Sequence, residues 1–306
     1  CYYHYWFDGR LLLEKPMEQM LKNKCIDIPF CICWANEPWT KSWVNETKVL
    51  IPQRYGSREE WRRHFDYLLP FFKDERYIRD NNKPLLMIYR PNVIPNLSEM
   101  LECWNSLAKK EGFDGLCFAA QKLELDSEAQ SDAFQYEIER QPPLGMEYSA
   151  RLSGGNYGGK RVVAAALRGL SEIAEKRLGI DVQSIILGYV RKLSKGPKKL
   201  DYDRIWDAIL SMKPTSSRAV AGAYVDWDNT PRKQRNGEVA VGASPEKFKK
   251  HFSQLVNKVR DEYGNDYIFI NAWNEWAEGA YLEPDTDFGM AYLKAIKESI
   301  ENLETN

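Results

Sequence analysis

The sequence lacks the features that would place it in several large classes of protein. It contains no run of about 18 apolar residues, so we predict no membrane-spanning helix. Its formal net charge is -1 with 28% charged residues, which gives no electrostatic reason to expect nucleic acid or an anionic membrane as a partner. The six cysteines include no C-x-x-C pair and there are 3 histidines, so we expect reduced thiols rather than a zinc site or a disulfide framework.

Catalytic motifs of several enzyme classes are also absent. No G-x-S-x-G occurs, and His4, His64 and His251 are the only imidazoles, so triad chemistry is not expected. Residues 154–160 fit G-x-x-x-x-G-K, but Arg161 stands where Ser or Thr would bind magnesium, and a surface loop is the better interpretation.

A metal site is not favoured either. D-x-D occurs at residues 201–203, 226–228 and 285–287. A pattern that recurs in this way is weak evidence for a divalent cation, and we interpret Asp228 as a hydrogen-bonding partner of a substrate. We predict no metal and no cofactor.

Aromatic residues are abundant, with Trp 10, Tyr 17 and Phe 12. Many stand in short clusters beside polar residues, which is typical of sugar-binding surfaces, where flat rings contact pyranose C–H groups. Filling of the core is the alternative for any single ring.

Short apolar runs alternate with segments of helical period. Strands are predicted at residues 1–7, 29–34, 84–89, 116–120, 134–138, 219–225 and 267–273. Helices are predicted at residues 15–23, 58–72, 98–111, 161–177, 202–212, 245–263 and 287–303. Loops are predicted at residues 149–161 and 191–199. Capping boxes or N-caps are expected at Ser57 and Ser244.

The alternation predicts a parallel sheet in an α/β fold, and seven such units favour a (β/α)8 TIM-type barrel that lacks its first unit. An open doubly wound sheet is the rival, but no G-x-G-x-x-G follows the early strands. We predict one domain over residues 1–306. Because the chain opens at Cys1 directly in a strand, part of the N-terminus is expected to be missing, and a cytoplasmic location is predicted without knowledge of an export signal.

Polar and aromatic side chains cluster where the predicted strands end, which is where barrel enzymes hold their substrates. The candidate substrate contacts are Tyr3, His4, Trp6, Trp34, Asn36, Glu37, Trp39, Tyr89, Trp227, Asp228, Asn229, Asn274, Trp276 and Glu283.

Glu275 and Glu278 are the candidate catalytic residues. Cleavage of a glycosidic bond needs one carboxyl group to protonate the leaving oxygen and another to assist at the oxocarbenium-like centre. Two glutamates three residues apart after a buried strand can face one cavity, and tryptophan neighbours can raise the pKa of one of them. The alternative is a helix N-terminus that attracts acidic side chains.

Several long motifs resemble one known family. They are CYYHYWFDG at 1–9, FCICWANEPW at 30–39, KPL at 83–85, WDNT at 227–230, NAWNEWAEG at 271–279 and YLEP at 281–284. In this order they resemble WbsX-type proteins, which are described as glycosyltransferases of O-antigen assembly and as glycoside hydrolase family 99-like, after the endo-α-mannosidases.

The resemblance implies a (β/α)8 barrel and a role for each glutamate. The hydrolase family carries E-W-H-E-G, which residues 275–279 match except that Ala277 replaces His. Glu275 would act as base on the sugar 2-hydroxyl to form a 1,2-anhydro intermediate, and Glu278 would be the acid/base at the glycosidic oxygen.

Three functions follow, each with a glycan or polysaccharide as partner. The first is a retaining, metal-independent hydrolase. The second is a glycosyltransferase of lipopolysaccharide, O-antigen or other surface polysaccharide assembly. The third is a non-catalytic sugar-binding barrel, which would not need both glutamates. The oligomeric state is not predicted.

Overall fold

The computed structural model describes residues 1–40, 49–127, 131–154 and 196–304. The chain divides into two compact units. Unit 1 is Cys1–Trp39, Val49–Lys122 and Ser127–Ile138, and unit 2 is Thr40–Lys48, Leu123–Asp126 and Glu139–Asn306. The prediction of one domain over residues 1–306 stays a prediction.

Unit 1 is built on a parallel sheet covered by helices. Its strands are β1 (Tyr2–Phe7), β2 (Arg10–Leu12), β3 (Ile32–Trp34), β4 (Trp39–Thr40), β5 (Val49–Ile51), β6 (Arg79–Asp80), β7 (Lys83–Ile88), β8 (Cys117–Lys122) and β9 (Phe134–Glu139), although the last residues of β4 and β9 fall in unit 2. Its helices are α1 (Lys15–Lys22), α2 (Arg58–Phe72) and α3 (Leu97–Lys110). The pairs β1–β3, β3–β7 and β7–β8 are parallel, whereas β2 pairs antiparallel with β1 and the short β6 pairs antiparallel with the start of β7.

Unit 2 combines short sheets with long helices. Its strands are β10 (Lys198–Asp201), β11 (Ala219–Tyr224), β12 (Glu238–Val241), β13 (Ile268–Asn271), β14 (Asn274–Glu275) and β15 (Ala280–Tyr281). Its helices are α4 (Pro143–Leu152), α5 (Tyr202–Ser211), α6 (Thr230–Lys233), α7 (Pro245–Glu262) and α8 (Ala291–Glu304). The pairs β11–β13 and β10–β12 are parallel. Trp206, Tyr224 and Phe248 lie at the centre of its apolar core.

The α/β class and its parallel strands are confirmed, and each predicted strand has a counterpart in the structure. The predicted helix at 161–177 lies outside the described residues, as does most of the loop that contains Gly154–Arg161. Two loop predictions were partly wrong, because residues 149–152 belong to α4 and residues 198–199 to β10. The sequence signal for α4 is weak, because Gly145 in its first turn disfavours a helix, although Pro143 is well suited to the first helical position.

One of the two predicted caps is confirmed. Ser244 accepts a hydrogen bond from the Lys247 N–H, with Pro245 at the first helical position. The capping box at Ser57 was wrong, because the Ser57 side chain makes no cap bond and Glu60 instead accepts a hydrogen bond from the Trp6 indole. Within the described ranges, no helix is long and apolar enough to cross a bilayer.

Candidate active site

The two candidate glutamates lie on a short β-hairpin, residues 274–281, which we call the glutamate hairpin. It follows β13 directly, and β14 pairs antiparallel with β15 so that Glu275 lies opposite Ala280. A single 3-10 turn over Trp276–Glu278 joins the strands and ends at Gly279. The alternative interpretation, in which the two glutamates lie at the N-terminus of a helix, is therefore wrong, because a single 3-10 turn places Glu275 and Glu278 on one small hairpin.

Gly279 is required in this turn for two reasons. Its φ of 64° lies in the left-handed region that favours glycine. A Cβ atom there would also lie 3.0 Å from the Asp228 backbone nitrogen. That nitrogen donates a 2.7 Å hydrogen bond to the Glu278 carbonyl oxygen. The hairpin is thus held against residues 227–229, and the backbone of Glu278 is fixed.

A single guanidinium joins the two carboxylates. Arg232 lies on α6 and donates from Nη1 to Glu278 Oε1 and from Nη2 to Glu275 Oε2, each at 3.0 Å. Because a guanidinium is a rigid planar fork, it keeps both carboxylates at one place. Arg140 Nη2 lies 3.9 Å from Glu278 Oε2. Within the described part of the chain, that second oxygen accepts no hydrogen bond.

The electrostatics of the hairpin favour proton exchange at Glu275. Burial raises the pKa of Glu275, and the nearby charge of Glu278 raises it further, while Arg232 and Arg140 act in the opposite direction. The Glu278 side chain is mostly buried, with 13% of its surface exposed. Charge partners and partial burial of both carboxylates, together with the raised pKa of Glu275, are features of acid and base groups.

The other predicted contacts in unit 2 divide into exposed and structural residues. Trp276 and Asn274 are exposed, and the Trp276 indole donates to Glu283 Oε2 at 2.6 Å. Asp228 Oδ1 accepts from the Thr230 N–H at 2.9 Å, which starts α6. Asn229 is buried and its Oδ1 accepts from the Glu238 N–H at 2.8 Å.

Two further residues follow β11. Trp227 is buried, and its Nε1 has no hydrogen-bond partner among the described residues. Asp226 Oδ1 accepts from the Trp227 N–H, and burial raises the Asp226 pKa. Across the described ranges, no group of three or more His, Cys, Asp or Glu side chains could hold a metal ion.

Three of the predicted contacts in unit 1 face the helices that cover the sheet. His4, Trp6 and Trp34 are buried, and Trp6 stacks on His64 of α2 with ring centroids 4.6 Å apart. His4 Nε2 lies 3.0 Å from His64 Nε2. We call His4, Trp6, Trp34, His64 and Tyr67 the histidine cluster. Its contacts are those of a packed core.

The remaining unit 1 candidates follow a different pattern. Tyr3 lies on the other face of β1 from His4, accepts a 2.6 Å hydrogen bond from Gln121 Nε2, and packs against Tyr89. Trp39 packs edge-on against Tyr5.

Asn36 and Glu37 connect the ends of β3 and β7. Buried Asn36 donates to the Arg90 carbonyl oxygen and accepts from the Arg90 N–H, both at 2.8 Å. Glu37 pairs with the Arg90 guanidinium at 2.6 Å. Tyr3, Glu37 and Tyr89 are accessible at this sheet end, whereas Asn36 joins two strands.

Sequence reasoning did not find the two arginines. Arg140 follows β9 directly, so its position after a strand was an available signal. Arg232 follows the Trp227–Asn229 motif by three residues, but no local pattern shows that it reaches both glutamates.

A model of the family described as glycosyltransferase WbsX matches residues 1–296, so the chain belongs to this family and the resemblance found in its motifs is confirmed. Two proteins named "Uncharacterized protein WxcX", from two strains of Xanthomonas campestris pv. campestris, are 26% and 27% identical over 98% of the chain. The chain spans 39% of the length of each.

The fold is similar to that of a solved glycoside hydrolase. The structure of the GH99 endo-alpha-mannosidase from Bacteroides thetaiotaomicron superimposes with a TM-score of 0.51 at 11% identity, covering 98% of this chain and 74% of that one. The family match thus places the chain among the proteins described as glycosyltransferase WbsX, and the structural likeness shows that its fold is similar to that of the GH99 enzyme.

Proposed function

We propose that the chain acts on glycosidic bonds, and that Glu275 and Glu278 perform the reaction as a retaining, metal-independent hydrolase. The observation that carries this proposal is the Arg232 guanidinium, which donates to both carboxylates at 3.0 Å. Two acids placed together, with one raised pKa, are the minimum that glycosidic cleavage needs. The positive charge between the acids is supplied by an arginine, which supports a reaction without a metal.

The roles follow the family resemblance. Glu275 removes the proton from the sugar 2-hydroxyl while that oxygen attacks the anomeric carbon, and Glu278 gives its proton to the departing glycosidic oxygen. Water then opens the 1,2-anhydro ring, with Glu278 accepting the proton of water and Glu275 returning its proton to the 2-oxygen. A raised pKa makes Glu275 a stronger base once it is ionised. Glu278 Oε2 is buried and accepts no hydrogen bond among the described residues, so its capacity to bond is unused, and the side chain must turn towards the substrate to reach the glycosidic oxygen.

We propose that residues 1–306 form one domain of the (β/α)-barrel type, in keeping with the likeness to the GH99 fold. Among the predicted substrate contacts in unit 2, the accessible side chains Asn274, Trp276 and Glu283 are retained in this proposal, and those in unit 1 stay predictions. His4 and Trp34 are buried in the histidine cluster, so their packing is the better account.

The stereochemistry of the first product tests this function. Yeast α-mannan, chosen because the GH99 neighbour is an endo-alpha-mannosidase, is incubated with the protein, and new reducing ends are followed by proton NMR. We expect the anomer first released to match that of the substrate, and no loss of rate with EDTA. A first product of opposite anomeric configuration would contradict the mechanism. Glu59→Gln removes the charge of an exposed glutamate on α2, far in sequence from the proposed pair, and should release product as the wild type does.

Sugar transfer is the second candidate, because the family model is described as a glycosyltransferase. In that case a nucleotide sugar should raise the melting temperature, and manganese should increase the effect. New reducing ends on mannan without any response to nucleotide sugars would exclude transfer. A response to a nucleotide sugar without new reducing ends would exclude hydrolysis.

A further inference from the structure

Trp276 lies between the two glutamates in sequence and is held in place without being buried. Its ring stacks on Tyr281 with centroids 3.7 Å apart and planes at 20°. Its indole N–H donates to Glu283 Oε2 at 2.6 Å. Nevertheless 48% of Trp276 is exposed. One face and the polar edge of the ring therefore have contacts, while about half of the residue's surface stays accessible to a ligand.

An immobilised and exposed indole needs an explanation beyond folding. Aromatic rings stabilise a fold mainly through the apolar surface that they bury, and Trp276 leaves about half of its surface exposed. Trp273 on the same segment is similarly exposed at 52%, but no ring stacks on it among the described residues. The contacts that orient Trp276 thus distinguish it from an incidental surface tryptophan.

The chemistry around the ring identifies the ligand class. A flat indole face matches the C–H face of a pyranose, and the carboxylate of Glu283 has acceptor capacity left for a sugar hydroxyl. The carboxylates of Glu283 and Asp285 lie near the Trp276 and Tyr281 rings, so the surroundings of the indole are acidic. Negative charge at this place disfavours a uronate or a phosphate and favours a neutral sugar.

We propose that Trp276, backed by Tyr281 and oriented by Glu283, is a subsite for a neutral pyranose adjacent to the sugar at the glutamate pair. This inference rests on the proposed function, since it takes Glu275 and Glu278 to meet the glycosidic bond. It adds that the substrate contains at least two connected rings, and that Trp276 contributes to binding rather than to proton transfer.

The test measures binding in Glu278→Gln, so that turnover does not interfere. Affinity electrophoresis compares two neutral polysaccharides, yeast α-mannan and dextran, with acidic alginate. When Trp276→Ala is added to Glu278→Gln, the affinity for whichever neutral polysaccharide binds more tightly should fall about tenfold, which corresponds to about 1.4 kcal/mol. Trp276→Phe, which keeps a ring on Tyr281, should lose less, and Trp273→Ala should bind as the parent does. Melting temperatures and near-ultraviolet circular dichroism confirm that each variant is folded.

Several results would overturn the subsite. They are equal affinity in folded Trp276→Ala, equal losses in Trp273→Ala and Trp276→Ala, tighter binding of alginate, and no binding of either neutral polysaccharide. The proposed function can fail separately. If Glu278→Gln in an otherwise unchanged chain cleaves mannan as fast as the wild type, the reaction is assigned wrongly. Binding that depends on Trp276 would then still support the subsite.

Discussion

The histidine cluster and the glutamate hairpin contain similar side chains in opposite surroundings. In the histidine cluster, Trp6 stacks on His64 and both are buried, and burial lowers the pKa of His4 to about 3. In the glutamate hairpin, Trp276 is half exposed and two carboxylates share one guanidinium. A tryptophan beside a titratable group is thus neutral core in one region and a charged, accessible site in the other.

The difference shows that position at a strand end does not by itself indicate a ligand site. The face of the strand on which a side chain lies determines whether it packs in the core or stays accessible to a ligand. His4 and Trp6 alternate with Tyr3 along β1, so they point towards α2 while Tyr3 lies on the opposite face. The following predictions test this contrast, and the first has the largest expected effect.

Trp6→Ala should lower the free energy of unfolding by about 3–5 kcal/mol, because it removes a buried ring and leaves Glu60 without its indole donor. Trp276→Ala is the matched variant and should cost clearly less, since its ring is half exposed. Denaturant unfolding of both measures the difference. Equal losses would contradict the contrast between core and site.

Arg232→Met should lower kcat about 10- to 100-fold, because both carboxylates lose the group that positions them. The positive charge of Arg232 lowers the pKa of Glu275, so its removal should raise that pKa. A base is lost as the pH falls through its pKa, and the acidic limb of the pH–rate profile should therefore move to higher pH. Arg232→Lys keeps the charge and should shift the limb less. An unmoved limb in both variants would show that Arg232 does not act on Glu275.

Acid should destabilise the fold through the histidine cluster. In the unfolded chain His4 takes up a proton near pH 6.5, whereas burial lowers its pKa in the folded protein to about 3. Between these values the unfolded state binds more protons, so the stability present above pH 6.5 falls as the pH falls, on the order of 2 kcal/mol by pH 5. Burial and His4 lower the pKa of His64 in the same direction. Denaturant unfolding at pH 7.5 and pH 5 measures this loss. Between these two pH values the free energy of unfolding should fall more in the wild type than in His4→Asn, and equal falls would argue against a neutral pair.

Gly279→Ala has the smallest expected effect on stability. Its positive φ should cost about 1–2 kcal/mol, as should the positive φ of Gly112 in the control Gly112→Ala. A Cβ on Gly112 meets nothing within 4 Å, whereas one on Gly279 meets the Asp228 backbone. Only Gly279→Ala should therefore also reduce kcat, because it displaces the carbonyl of Glu278. Equal kcat values in the two variants would show that the hairpin does not depend on this contact.

Much of the fold could be predicted from the sequence, because buried strands such as β7 and β11 are continuous apolar runs and α7 begins with Ser244 and Pro245. The orientation of β1 could not. Its sequence YYHYWF is aromatic on both faces, so no alternation of apolar and polar residues shows which side meets α2.

The site was predictable only in part. The spacing of Glu275 and Glu278 and the motifs around them are the reasons for proposing this pair, and its catalytic role stays a prediction. Arg232 and the close approach of Asp228 to Gly279 arise from contacts between segments about 50 residues apart. Local sequence patterns do not encode such contacts.

Turnover of a glycan by Glu278→Gln tests the central claim most directly. If this side chain is the acid/base, the exchange of one oxygen for nitrogen should lower the rate of glycosidic cleavage about 10²- to 10⁴-fold. The glycan affinity and the melting temperature should stay close to those of the wild type, because Glu278 lies on a turn fixed by Gly279 and Asp228. A folded Glu278→Gln protein that cleaves at the wild-type rate would contradict the account.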